Sequence, residues 1–270
     1  MNIGEKTERI VCSILHHDAK LLPLNSYLKA VSRDAKKDVK YINKKNRDAI
    51  CGVFKEKFSS FDITIPSDGS SCSKRTTADI LLYSEENEKS VGLSIKHNNM
   101  SIKHHRPHML HKQMHLSSEL SCVFQEDYAR LQNKWLNHFA KYSFSQYNEM
   151  DMYTRMSMLN DFNVLTARWL NDNQAHMSKY INFIVDKQTP YILKVNTDGS
   201  ADVYKKKRYR VFKPFVYVNY EKSSINIVLD SSSTAPISLC MRLHTCSRKI
   251  KNTIDIKFDV TAYGIFNKIT

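Results

Sequence analysis

Ala78-Asp79-Ile80-Leu81-Leu82-Tyr83 and Ser90-Val91-Gly92-Leu93-Ser94-Ile95-Lys96 read as two short apolar strands, with Glu85-Glu86-Asn87-Glu88-Lys89 as the turn between them. Both are of the length and composition of strands in a buried sheet. Side chains alternate along a strand, so Ser94 and Lys96 share one face. If the two strands pair as a hairpin, their far ends meet, and Asp79 and Lys96 come side by side although seventeen residues separate them.

The rest of the chain arranges itself around this pair. The first 60 residues read as helical: Val11, Ile14 and Leu15 form one short apolar stripe, and Tyr41, Ile42, Ile50, Val53, Phe54 and Phe58 form a second on a lysine-rich helix. Residues 66–76 are a loop by composition. Leu120, Phe124, Tyr128, Leu131, Trp135 and Phe139 recur at helical spacing, as do Tyr153, Met156, Leu159, Phe162, Leu165 and Trp169. Such aromatic stripes are core far more often than binding surfaces. Beyond Pro190 strands return, at Tyr191–Val195, Phe215–Asn219, Ile225–Leu229, Ile237–Leu243 and Ile254–Val260, with Asp198-Gly199 and serines 231–233 between. The expectation is one α/β domain over residues 1–270. It has a core at about 36–116 around a central mixed sheet, a helical insertion at about 117–186, and a strand-rich part at about 190–265.

Composition points to the partner. The 270 residues hold 41 Lys and Arg against 27 Asp and Glu, a net charge of +14, which suits a polyanion. No stretch approaches the 18 or so apolar residues that span a membrane, and the N-terminus lacks a signal-peptide layout. Six cysteines without a Cys-x-x-Cys pair suggest reduced thiols, hence a cytoplasmic protein without a zinc ribbon. Three basic stretches are free of acids. Residues 89–118 contain Lys103, Arg106 and six of the eleven histidines; 203–220 contain Lys205, Lys206 and Lys207; 231–254 contain Arg242, His244, Arg248 and Lys249. Three separated clusters fit a surface that follows a phosphate backbone, whereas one alone would be a solvated loop. The i, i+4 histidine pairs, such as His104 and His108, suggest zinc, but Pro107 breaks any helix there. His97, His104 and His105 therefore read as donors to phosphates or bases, or as exposed residues.

Hydrolysis of a phosphodiester with a metal needs carboxylate oxygens for a hard cation, a cation near the attacking water, and a rigid frame. Asp79 and Lys96 supply the first two. A hard cation takes several oxygens and the strand pair offers a single carboxylate, so Asp48 or Glu56, on the preceding helix, is a candidate to complete a Mg²⁺ site; each is equally readable as a solvent-facing helix acid.

An acid followed at this distance by x-x-Lys is the PD-(D/E)XK layout, and the surrounding residues sharpen the likeness. Ala78–Leu82, Val91-Gly92-Leu93-Ser94-Ile95-Lys96-His97-Asn98-Asn99 and Ile102-Lys103-His104-His105-Arg106 are similar to the HaeIII family of type II restriction endonucleases, which has Gly-x-Ser-x-Lys-x-Asn on the second strand and a later Lys-His-Ser-Arg. Met241–Ile250, continuing to Ile256-Lys257-Phe258-Asp259-Val260, resembles that family's late Arg-Ile-His-Asn-Ala-Ser block. The likeness covers roughly residues 76–106 and 240–260. It implies a PD-(D/E)XK restriction-endonuclease-like core, cleavage of duplex DNA with Mg²⁺ at a short site such as GGCC, and a cognate DNA methyltransferase as system partner. It further implies Asp79 as metal ligand, Lys96 as catalytic lysine, Ser94 as an ordinary family residue, and Asn98 beside the DNA. A homodimer is compatible with it. Thr76, His105, Pro107 and Thr245-Cys246 depart from the pattern at presumed DNA-contacting positions. Two rivals share the basic surface: a non-catalytic DNA- or RNA-binding protein, and a nuclease without sequence preference acting in repair. For Arg242 the competing reading is a structural arginine paired with Asp255 or Asp259.

Overall fold

The structure is a computed structural model that describes Thr7, Val11, Ile14, Leu15 and residues 44–64, 78–84, 89–98, 100–186, 189–211, 214–230 and 236–269. Tyr41, Ile42, the 66–76 loop with Thr76, the 85–88 turn, the 231–233 serines, Cys12 and Cys72 lie outside the described residues. The chain forms two compact units: residues 1–100, 186–207 and 266–270 in one, 101–185 and 208–265 in the other. Both are built from sheets with helices, an α/β arrangement.

The first unit holds helix α1 (Lys44–Lys57) and strands β1 (Asp62–Thr64), β2 (Ile80–Ser84), β3 (Lys89–His97), β5 (Tyr191–Val195), β6 (Ala201–Lys206) and β11 (Phe266–Lys268). They form one sheet in the order β1-β2-β3-β5-β6-β11. β2 and β3 pair antiparallel, with Ile80 opposite Leu93 and Leu82 opposite Val91. β3 and β5 pair in parallel, Ile95 beside Leu193, so the chain between them is a long crossover that carries elements of the second unit. One sheet face is apolar: Ile80, Leu82, Leu93, Ile95, Leu193, Val195 and Val203 are packed with Ile50, Val53, Phe54 and Phe58 of the α1 segment and with Val11, Ile14 and Leu15. Phe54 is 1% exposed, so Phe54→Ala empties the middle of this core and is expected to cost about 3–5 kcal/mol.

The second unit holds β4 (Ser101–His105), α2 (Leu110–Gln113), α3 (Ser118–Lys141), α4 (Met152–Asp172), α5 (Met177–Val185), β7 (Phe215–Asn219), β8 (Ser224–Asp230), β9 (Ile237–Thr245) and β10 (Ile256–Tyr263). Its sheet is antiparallel throughout, in the order β4-β10-β9-β8-β7. Ser117 caps α3 by accepting from Leu120 N, and Asp151 caps α4 by accepting from Thr154 N. Most of the two stripes is buried, Phe124, Tyr128, Trp135 and Phe139 in α3 and Leu159, Phe162, Leu165 and Trp169 in α4, while Leu131 and Met156 are half-buried. Leu120 and Tyr153 fall in first turns and are exposed. The two helices brace each other through crossed bonds. Trp135 Nε1 donates to Asp161 at 3.0 Å, and Trp169 Nε1 donates to Asp127 at 3.1 Å.

β4 is not legible as a strand because a histidine occupies a core position. His105 is buried, and its Nε2 shares a 2.6 Å hydrogen bond with the fully buried Tyr180 hydroxyl. It is therefore no phosphate donor. Burial, reinforced by the charges of Lys103 and His104, holds its pKa down at about 3. The unfolded chain takes up this proton below about pH 6.5 and the folded chain only near pH 3, so stability is lost as the pH falls through that window. At pH 5 the loss from this residue is about 2 kcal/mol. Urea unfolding at pH 7.5 and pH 5 should show His105→Gln losing about that much less than the wild type; equal losses would refute the assignment.

Candidate active site and basic surfaces

Asp79 stands one residue before β2, opposite the middle of β3. Its N–H donates to the Leu93 carbonyl at 2.9 Å, and the regular ladder then stops. The next donor on β3, Ile95 N–H, is taken by the Asp79 carboxylate at 2.6 Å, and the Ser94 hydroxyl donates to the same Oδ2 at 3.1 Å. The carboxylate thus replaces a backbone carbonyl at the end of the sheet pairing, which fixes its position on β3. Ser94 is buried and Lys96 half-buried, and both lie on the face opposite the α1 core by alternation from Leu93 and Ile95. Burial raises the Asp79 pKa above the usual carboxylate value, opposed by the nearby Lys96 charge and by the bonds from Ile95 and Ser94. A partly buried carboxylate whose donors do not fully offset its desolvation gains from a cation. The expected pairing of the two strands is present; it bonds Asp79 to Ser94 and brings it within electrostatic reach of Lys96.

The expected second acid is not brought to them. Asp48 and Glu56 are exposed on α1, whose apolar side packs on the other face of the sheet. Glu56 pairs with Lys57 at 2.6 Å. Among the described residues no group of three or more His, Cys, Asp or Glu side chains could hold a metal ion. Mg²⁺ commonly keeps several waters and takes only one or two carboxylates plus substrate phosphate, so Asp79 alone fits that mode of binding. Asp48→Ala and Glu56→Ala are accordingly expected to need no more Mg²⁺ for half-maximal activity than the wild type, and a rise of tenfold or more in either would restore the helix acid to the site.

The proposed DNA-contacting residues separate into free and occupied groups. Lys96 and His97 alternate, so His97 lies on the α1 side of the sheet; its Nε2 is 3.1 Å from Asn98 Nδ2. Asn98 adopts φ 57° and accepts from Thr197 N at 2.9 Å through Oδ1, a turn-building role suited to asparagine. Lys103 extends over the Phe183 ring at 4.5 Å. Lys206 Nζ donates to the Asp186 carbonyl at 2.6 Å, while Lys205 and Lys207 are exposed. Arg106 is ion-paired with Asp255.

On the second unit's sheet one row reads His104, Asp259, Arg242, Ser224 across β4, β10, β9 and β8. Asp259 pairs with His104 and lies 3.4 Å from His244. Burial alone would raise the Asp259 pKa, but these histidines hold it below the usual range. Both acids considered for Arg242 thus have other partners, and among the described residues Arg242 has no ion pair and is exposed. Arg248 and Lys249 are exposed just after β9.

The same sheet face carries residues that the sequence reading missed. Phe215 and Tyr217 are exposed and stacked, with ring centres 5.7 Å apart. Their signal was present: Phe215-Val216-Tyr217-Val218 alternates, and only Val216 is in the core, so both aromatic rings point outward.

No described helix is long and apolar enough to cross a membrane, and Cys51, Cys122, Cys240 and Cys246 are free thiols. No protein-family model, curated protein or solved structure matches the chain.

Proposed function

We propose that the chain is a Mg²⁺-dependent endonuclease with a PD-(D/E)XK-type core that cuts duplex DNA at a short site. One observation carries the proposal: the carboxylate of Asp79 is pinned by Ser94 and Ile95 beside Lys96 on two paired strands. The likeness of residues 76–106 and 240–260 to the HaeIII family adds the substrate, duplex DNA, and a methyltransferase as system partner. Asp79 would hold Mg²⁺, which when bound polarises the scissile phosphate and stabilises its developing charge. Ser94 and Ile95 N–H keep the carboxylate in one orientation, so no rearrangement is needed when the cation arrives. Lys96 contributes a fixed positive charge on the same strand, where it orients the attacking water and steadies the pentacovalent phosphorus. No covalent intermediate is involved.

Incubating the protein with plasmid DNA, with and without Mg²⁺, and sequencing the ends tests this directly. Cleavage at one short motif supports a restriction enzyme, and cleavage without preference supports the repair-type nuclease. Tight DNA binding without cleavage, in any divalent metal, would leave the non-catalytic binding protein.

A further inference from the structure

Away from the Asp79 site, the second unit contains a pocket of about 580 Å³ between the 106–112 segment, α3 and residues 251–255. Pockets of roughly 300–1,000 Å³ hold small organic ligands. The rim is cationic: Arg106, Lys112 and Lys251 are exposed around it, and its one acid, Asp255, is already paired with Arg106. The wall is polar but unsatisfied. Tyr128 is 6% exposed, and among the described residues its Oη has no hydrogen-bond partner. His111, 5% exposed, lies 2.9 Å from Gln125 Nε2 and is also bonded to the His108 backbone. Buried polar atoms are nearly always paired, so the unpartnered Tyr128 hydroxyl on the pocket wall suits a ligand that supplies its partner. The Tyr128 and His108 rings, 6.0 Å apart and edge to face, give the pocket an aromatic side as well.

We infer that this pocket binds a nucleoside monophosphate unit, with the phosphate among the rim cations and the base against Tyr128 and His111. The amides of Gln125 and Gln132 also line it and can donate to and accept from a base edge. Such a unit has two sources, a free nucleotide or a single nucleotide extruded from DNA, and the chemistry of the pocket is the same for both.

The test uses the intact protein and calorimetric titration with dAMP, dGMP, dCMP and dTMP, with inorganic phosphate and deoxynucleosides as controls. Parallel titrations use duplexes that are fully paired or carry one unpaired nucleotide. The variants are Tyr128→Phe and the double variant Lys112→Ala/Lys251→Ala, with thermal unfolding to confirm their folding, and Asp79→Asn to separate this site from the proposed nuclease centre. One-to-one binding of a deoxynucleoside monophosphate, weakened about tenfold or more by each pocket variant and unchanged by Asp79→Asn, is the expected result. The extruded source is supported instead if only the duplex with the unpaired nucleotide loses that affinity in the pocket variants. The inference is overturned if inorganic phosphate binds as tightly as the nucleotides, or if no ligand responds to the pocket variants. Neither result depends on whether the protein cleaves DNA.

Discussion

Asp79→Asn is expected to abolish Mg²⁺-dependent cleavage, and Lys96→Ala to lower the rate by roughly 10²–10⁴-fold, with DNA binding kept by both. The asparagine is nearly isosteric and its carbonyl can still accept from Ile95 N, so what it removes is the negative charge that draws a cation. It also acts as its own folding control. The Asp79 pKa is raised by burial, so the folded state holds this carboxyl protonated to a higher pH than the unfolded state does. Above that raised pKa the ionised carboxylate destabilises the fold, and below the ordinary value near 3.8 the effect is gone. The metal-free Asp79→Asn protein should therefore melt at or above the wild-type temperature at neutral pH. Cleavage at wild-type rate by either variant would end the proposed mechanism. A lower melting temperature for Asp79→Asn would show that its carboxylate serves the fold rather than a cation.

The second large effect is expected in reading. Arg242 faces outward from the middle of a sheet and has no described ion pair, and the neighbouring acids are engaged by His104, His244 and Arg106. A guanidinium so placed can bond both acceptors of guanine in the major groove, about 1–3 kcal/mol of discrimination, or roughly 5- to 150-fold between sites. Arg242→Ala should blunt site preference by that factor in cleavage of a library of randomised short sites, and Arg248→Ala should do the same. The lysines contrast with them. Lys205 and Lys207 are exposed and carry point charges, so replacing both by Ala should weaken binding to every sequence and flatten its salt dependence by about one log unit for each phosphate left without its lysine. Lys206, bonded to the Asp186 carbonyl, should instead affect stability. If the lysine variants change the preferred site while Arg242→Ala leaves it intact, the roles are reversed.

What could be read from residues alone follows a physical line. The β2–β3 hairpin was legible because both strands are short apolar runs around a polar turn, and one-residue alternation then fixes which side chains share a face. Helices α3 and α4 were legible from aromatic spacing, except at Leu120 and Tyr153, since periodicity does not say how far a first turn protrudes. β4 and β6 were not legible, because Lys103, His105 and Lys206 look like surface. Their burial or bonding depends on partners distant in sequence: Phe183 for Lys103, Tyr180 for His105, and Asp186 for Lys206. The helix acids failed for a related reason. Asp48 and Glu56 precede the strands closely in sequence, but a helix packs only one side on a sheet, and that side is the apolar one. The division into two units was equally hidden, since the chain runs between them without a linker of distinctive composition.

That division has a consequence for biosynthesis. The chain passes from one unit to the other at 100–101, 185–186, 207–208 and 265–266. β6 is paired on one side with β5 but receives its other neighbour, β11, only when residues 266–268 have been made. Once residues up to 207 have emerged from the ribosome, every described strand of the first sheet but the last is available, and β6 is an open edge able to join another nascent chain. The lysines at 205–207 place like charges along that edge, where they discourage such pairing during the interval in which the second unit is completed.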